Sequence, residues 1–368
     1  MVDRSYILGA RVVAIEFTIE PFYNALGSLQ LLNEVETLSG FSEWVTQTAA
    51  ALPPALRRMN FIVLDGLDLL FFCVPPLDPK HREFMDFVNH LSRQDPVALR
   101  ARMLENLASI PLQYPQKWLQ GQPIPTAEQL LCSQDAYVAF MHTLVPAQPD
   151  LSIWQETHRL IADPPAMLDV AVTHLKTMWE QVLAAEWARV QPMLQESVDA
   201  FKKLDFAPMT AAEAIRRVTE RDLSAKFGTE LADVERVVFI PSAHIGPYIS
   251  KYKQSDTLYI VFGARLPRDA QTRSSALSRS DLLIRLNALA DDTRLRILEL
   301  LTQHEELCAQ DIIERLGLSQ STVSRHLSQL AATGYITERR REVAKCYSLN
   351  TDRVVDTLRA LTDFLSRR

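Results

Sequence analysis

A run of hydrogen-bonding side chains, Ser319, Gln320, Ser321, Thr322, Ser324, Arg325 and His326, lies near the carboxy-terminus of the 368-residue sequence. Hydroxyls, amides, guanidinium and imidazole at this density suit base edges and phosphate oxygens. Downstream, Arg339, Arg340, Arg341 and Lys345 put four cations within seven residues, as contact with phosphates or a minor groove requires. No comparable catalytic pattern exists. Residues 1–264 contain no GxGxxG, P-loop, GxSxG or HExxH motif, so no catalytic residue and no cofactor is expected. The four Cys stand singly at Cys73, Cys132, Cys308 and Cys346, without a CxxC pair, which argues against a zinc ribbon and a disulfide framework. The eight His are scattered, and each reads as structural or exposed rather than as a metal ligand.

The polar run needs a rigid carrier, and the flanking residues supply one. Cys308–Leu316 reads as a helix burying Ile312, Ile313 and Leu316, and Gly317 ends it. Ser319 caps a second helix, Gln320–Thr333, whose Val323, Leu327 and Leu330 face inward and leave the polar run outside. Gly334 stops it. TERRREVAKCYSL then reads as a hairpin with Ile336, Tyr347 and Leu349 inward and the cations near its tip. A helix, a tight turn, a helix with a small polar face and a cationic hairpin are what major-groove entry demands. Upstream, DLLIRLNALADDTRLRILELL holds two short helices, with an N-cap at Asp292-Thr293. Leu282, Leu283, Leu286 and Leu289 form one apolar stripe, and Val354, Leu358, Leu361 and Leu365 form a second on the last helix.

Residues 281–350 resemble the DNA-binding domain of the ArsR family of winged-helix transcription regulators. LNALADDTRLRILELL, ELCAQDI, LSQSTVSRHLSQLAATGYI and TERRREVAKCYSL match its elements in order, over a fifth to a quarter of the chain. The resemblance implies a repressor-type homodimer on an inverted repeat of double-stranded DNA, joined through the two apolar stripes; packing within one monomer is the alternative. The sequence departs from the family at its metal site. In Glu306–Asp311 Cys308 is present, but Gln310 replaces the second thiolate, and Asp352–Arg368 contains no His. No metal site is expected. Cys308 reads as a small buried residue, and Cys346 as either oxidisable or packed. The hairpin tip has Glu342-Val343 in place of the family's Gly.

Composition sets the frame. Forty-seven per cent hydrophobic and 23% charged residues are ordinary for a globular protein of two or three domains. The longest charge-free runs are 14 residues, shorter than a membrane span, and the amino-terminus lacks a signal peptide's apolar stretch. A cytoplasmic protein is expected. Of the net charge of −6, none arises after residue 279, where 13 basic residues balance 13 acidic ones. All but three of the aromatics precede residue 280.

The expected organisation is mainly α. Residues 1–264 form a helical effector or dimerisation domain with a small sheet, 265–280 an Arg- and Ser-rich linker, and 281–368 the winged helix-turn-helix domain. The sheet is expected from Arg11–Ile19 and Val234–Phe262, with Gly246-Pro247 as a turn. One long helix is expected over Ala166–Phe206, broken or kinked at Pro192. Trp44, Trp118, Trp154, Trp179 and Trp187 either line a pocket for a small-molecule effector or fill the core; a protein effector is the other option. The favoured function is a DNA-binding regulator. The alternatives are an enzyme, or a protein-interaction module, carrying a nucleic-acid tether.

Overall fold

The computed structural model of the protein describes residues 13–74, 83–113, 123–145, 148, 150–207, 209–221, 223, 231, 233–267, 279–341 and 344–366. The fold is mainly helical with two small sheets. The chain packs as two compact units built from interleaved segments. One joins Met1–Ile19, Glu36–Glu43 and Val190–Arg368; the other joins Glu20–Val35 and Trp44–Arg189. None of the four boundaries falls within 265–280, of which residues 268–278 lie outside the described residues.

Among its described residues, every regular element of the second unit is a helix. Its elements are α1 (Pro21–Leu31), α2 (Glu43–Ala51), α3 (Pro54–Phe61), α4 (Asp68–Phe72), α5 (Phe84–Leu91), α6 (Pro96–Gln113), α7 (Ala127–Cys132), α8 (Gln134–Leu144), α9 (Leu151–Ala162) and α10 (Pro164–Met178). Prolines start α1, α3 and α10, where the missing N–H costs nothing. A single π turn, Ile62–Gly66, joins α3 to α4. Around it Asn60 donates to the Leu29 carbonyl and to Asn33 Oδ1 at 2.8 and 2.7 Å. Asn33 donates to Asp65 Oδ2 at 2.9 Å, and His174 Nε2 lies 3.0 Å from Asn60 Oδ1. These groups sit among apolar helices and satisfy one another, as burial requires. Burial, with Asp68 and Glu34 nearby, pushes the Asp65 carboxyl up to about 8, and burial takes Asp68 to about 7. Burial also lowers His174 to about 4, so it is neutral.

The long helix expected over Ala166–Phe206 is interrupted elsewhere than predicted. A second π turn, Trp179–Leu183, follows α10, and α11 (Ala184–Lys202) runs through Pro192 without ending. Of the tryptophans, Trp154 is fully buried and Trp179 stacks on Phe84 at 5.1 Å. Trp44 lines an open groove of about 370 Å³ with Thr48, Leu52, Leu56, Gln181 and Val182. Trp118 lies outside the described residues.

In the first unit a four-stranded sheet has the order β1-β2-β4-β3, from β1 (Ala14–Phe17), β2 (Arg236–Ser242), β3 (Ile249–Gln254) and β4 (Thr257–Gly263). β1, β2 and β4 are parallel, with Phe17 opposite Phe239 and Phe239 opposite Ile260; β3 is antiparallel to β4. β-Branched and aromatic residues make these strands, and β2 is buried at six of seven positions. Phe201 of α11 stacks on Phe17 at 5.2 Å, and α12 (Ala211–Thr219) adds Ala214, Ile215 and Val218 to the same core.

The remaining elements are α13 (Arg279–Leu289), α14 (Asp292–Thr302), β5 (Leu307–Cys308), α15 (Ala309–Leu316), α16 (Gln320–Thr333), β6 (Ile336–Arg341), β7 (Ala344–Leu349) and α17 (Thr351–Leu365). Their core joins Ile297, Leu301, Ile312, Val323, Leu327 and Tyr335. Each such side chain contributes about 1.5–3 kcal/mol when fully buried. The Tyr335 hydroxyl donates to the Arg285 carbonyl at 3.1 Å and lies 3.0 Å from the Thr357 hydroxyl, which ties α13 to α17. The cap before α14 is Asp291 rather than Asp292-Thr293; its carboxylate accepts from Arg294 N at 2.9 Å.

Cys308 and Cys346, taken singly from sequence, sit opposite each other on β5 and β7 and form a disulfide; Cys73 and Cys132 are free. They are 38 residues apart, so only the sheet register brings them together. Among the described residues no His, Cys, Asp and Glu group could hold a metal ion, and no helix is long and apolar enough to cross a membrane.

Candidate nucleic-acid interface

The turn between α15 and α16 is set locally. Gly317 closes α15 at φ +64, a conformation that costs a side-chain-bearing residue about 1–2 kcal/mol. Ser319 Oγ accepts from Thr322 N at 3.2 Å and starts α16 in register. Gly334 ends α16 at φ +82.

The exposed side of α16 carries Gln320, Ser321 and Ser324, beside exposed Ser319, while Thr322, Arg325 and Ser328 are half-buried on its margins. Positions 320, 324 and 328 recur at helical spacing and form one ridge of short polar side chains. Ser328 was not singled out from sequence, although this spacing points to it.

The structure does not bring His326 to that ridge. It is 4% exposed and faces Asp291, with Nδ1 3.6 Å from the carboxylate. Burial holds its imidazole below the ordinary value, more than Asp291 raises it. Arg294 is buried alongside, donating to the Ala288 and Asn287 carbonyls at 2.7 and 2.8 Å, so it closes the end of α13. Gln329 is also buried, at 2% exposure, and accepts from Ser39 Oγ at 2.6 Å. A polar residue on a helix can thus serve its own fold instead of a groove.

The hairpin β6–β7 pairs Ile336 with Leu349 and Arg341 with Ala344. Arg339 is exposed. Arg341 is 76% exposed and 3.9 Å from Glu306; Lys345 is 61% exposed and 3.2 Å from Glu338. Such exposed pairs are worth about 1 kcal/mol or less, so both cations remain available to a phosphate. The tip residues Glu342-Val343 and the Arg340 side chain lie outside the described residues.

Among the two apolar stripes, Leu282 is buried, Leu289 and Val354 pack on the local core, and Leu286 and Leu361 are half-buried. Leu358 is 54% exposed and Leu365 72%. Leu283 of the first stripe is exposed, as is Val355, which lies outside the predicted stripes.

Residues 291–338 match the model of the bacterial regulatory protein, arsR family. The transcriptional repressor SdpR of Bacillus subtilis is 32% identical over 80 residues, covering 22% of this chain and 88% of that protein. The chain belongs to the ArsR family. The nodulation protein NolR of Rhizobium meliloti is 40% identical over 78 residues, 21% of this chain and 63% of that protein. The arsenic resistance transcriptional regulator ArsR1 of Pseudomonas putida is 41% identical over 64 residues, 17% of this chain and 50% of that protein. The chain thus spans between half and two thirds of these last two relatives. The ArsR match includes α14, α15, α16 and the start of β6, the elements that hold the polar ridge.

Proposed function

We propose that the protein is a DNA-binding transcriptional regulator that reads an inverted-repeat operator as a homodimer. The observation that carries this reading is the exposed polar surface of Gln320, Ser321 and Ser324, continued by half-buried Ser328, on a helix capped at both ends. α16 is the recognition helix, and β6–β7 is the wing of a winged helix-turn-helix. Ser321, Ser324 and Gln320 read base edges; Ser319, Thr322, Arg325, Arg339, Arg340, Arg341 and Lys345 hold phosphates. His326 acts behind this surface. Exposed apolar residues on α13 and α17, Leu283, Val355, Leu358 and Leu365, support dimerisation through those helices. The repressor role follows the named relatives. The helical unit holds the effector, with the Trp44 groove as its candidate site, and 265–280 connects the four-stranded sheet to the DNA-binding elements. The protein works in the cytoplasm.

The test is selection of genomic DNA fragments by the purified full-length chain. Enrichment of an inverted repeat is expected. Arg325→Ala should then lower affinity roughly tenfold at fixed salt and reduce the salt slope by about one. A folded wild-type chain that enriches no sequence would refute the reading.

A further inference from the structure

The flank of α16 carrying Gln329 is gripped by a segment about 290 residues away in the chain. Ser39 Oγ donates to Gln329 Oε1 at 2.6 Å. Gly40 follows at φ +90, and a Cβ there would lie 2.7 Å from Gln329 Nε2. On its other side the Gly40 carbonyl presses on Gly246, where a Cβ would come within 2.4 Å of that oxygen. Gly246 has φ +62 and belongs to the turn between β2 and β3. The Tyr248 hydroxyl donates to the Ser39 carbonyl at 2.6 Å, and its ring lies 5.4 Å from that of Phe41. Hydroxyl, amide, two left-handed glycines and a phenol therefore meet in one closely fitted contact, with the polar ridge of α16 left open beside it.

The segment has an unusual place in the chain. Residues 36–43 pack in the unit that contains α16, yet the chain enters from α1 and leaves into α2, both helices of the other unit. The backbone therefore joins α1 and α2 directly to the Ser39–Gly40 contact. Gln329 lies on the same rigid helix as Ser324 and Ser321, so a movement of its flank re-aims the ridge.

We propose that residues 36–43 are a clasp that sets the orientation of the recognition helix and carries the effector's signal from the helical unit to it. The inference rests on the DNA-binding reading above. Ser39 and Gln329 are positioning residues that touch no base. Coupling of this kind requires two arrangements of the clasp with different preference for operator, one favoured by the effector.

The experiment measures the affinity of the full-length chain for the selected operator and for unrelated duplex DNA at one salt concentration. Ser39→Ala and Gln329→Ala should each lower operator affinity about fivefold, as expected for a lost part-buried hydrogen bond. Affinity for unrelated DNA, which depends on phosphates, should stay within twofold, so the ratio falls. Ser39→Thr, which keeps the hydroxyl, should restore it. Gly40→Val is a second, stronger perturbation, followed by hydrogen exchange of residues 320–333, which should accelerate. A ratio unchanged in Ser39→Ala, Gln329→Ala and Gly40→Val overturns the clasp while leaving the DNA reading intact. A wild-type chain without operator preference overturns the DNA reading, and the clasp with it.

Discussion

Glu220 is a counter-ion that holds α13, and its neutralisation has a calculable effect. α12 ends at Glu220, which adopts φ +56 as the left-handed C-cap. Its Oε2 lies 3.2 Å from Arg285 Nη2 and 4.0 Å from Arg353 Nη1. The Arg285 and Glu220 side chains are only 5% and 14% exposed. At the surface such a pair would be worth about 1 kcal/mol or less. Here, removing one partner leaves a guanidinium in a desolvated site, which costs about 3–5 kcal/mol. Arg353 donates to the Thr333 carbonyl at 2.9 Å and keeps that bond, so the lower half of the range is expected. Glu220→Gln preserves the volume and tests the charge alone. Hydrogen exchange under native conditions is the appropriate assay, because it resolves the opening of residues 282–290 from unfolding of the helical unit. The expected loss is about 3 kcal/mol of local protection. Glu220→Gln with Arg285→Met should recover at least half of it, since an apolar replacement of both partners is often neutral. Protection in Glu220→Gln within about 0.5 kcal/mol of wild type, the usual effect of a surface substitution, would refute the reasoning.

Reduction of the Cys308–Cys346 bond should destabilise the C-terminal region by up to about 4 kcal/mol, from the 38-residue separation that it closes; identical urea midpoints with and without a thiol reductant would disprove this. Leu358→Asp with Leu365→Asp should give a folded monomer in sedimentation, because both side chains are mostly exposed; a persisting dimer would move the seam elsewhere. The Asp65 carboxyl is raised from 3.8 to about 8 in the folded chain, which therefore binds this proton more tightly than the unfolded chain. Stability of the helical unit should fall as pH rises from about 4 through 8. Asp65→Asn should flatten that slope in thermal melts, and an unaltered pH profile would exclude Asp65 as its source.

The local features of the DNA-facing half were legible because they are local. Ser319, Gly317 and Gly334 mark the ends of α15 and α16 within a few residues, and the β-branched run around Val237–Ile240 marks a strand. Which polar residues of α16 face outward was less legible. His326 and Gln329 look as available as Ser324 in a helical projection. Their burial is decided by Asp291 and Ser39, and the second contact spans 290 residues. The disulfide was hidden for the same reason, since register between β5 and β7 pairs its two cysteines. The shift in composition near residue 264 reflects the scarcity of aromatics in a small helical core. It does not mark a boundary of compaction, because α12 and the four-stranded sheet pack in the unit that contains α16.

The interleaving bears on how regulation could work at all. A sensor joined to a DNA-binding module by one flexible tether can change its concentration near DNA but exerts little control over the orientation of a helix. Here the chain passes between the units four times, at residues 19–20, 35–36, 43–44 and 189–190. The last passage lies inside α11, whose Phe201 reaches the sheet core. A continuous helix transmits a displacement with little loss, and a short segment held at both ends does the same under tension. The sheet meets α16 through the Gly246 turn and the clasp, and α12, packed on the sheet, meets α13 through its cap Glu220. Breaking the Glu220 contact alone should therefore loosen α13 and leave the Ser39–Gln329 hydrogen bond in place. Breaking the clasp alone should do the reverse. Additive effects of Glu220→Gln and Ser39→Ala on operator affinity would mean that two independent routes bear on the recognition helix. A double variant no weaker than the worse single one would mean that the sheet moves as one body and that both contacts report the same displacement.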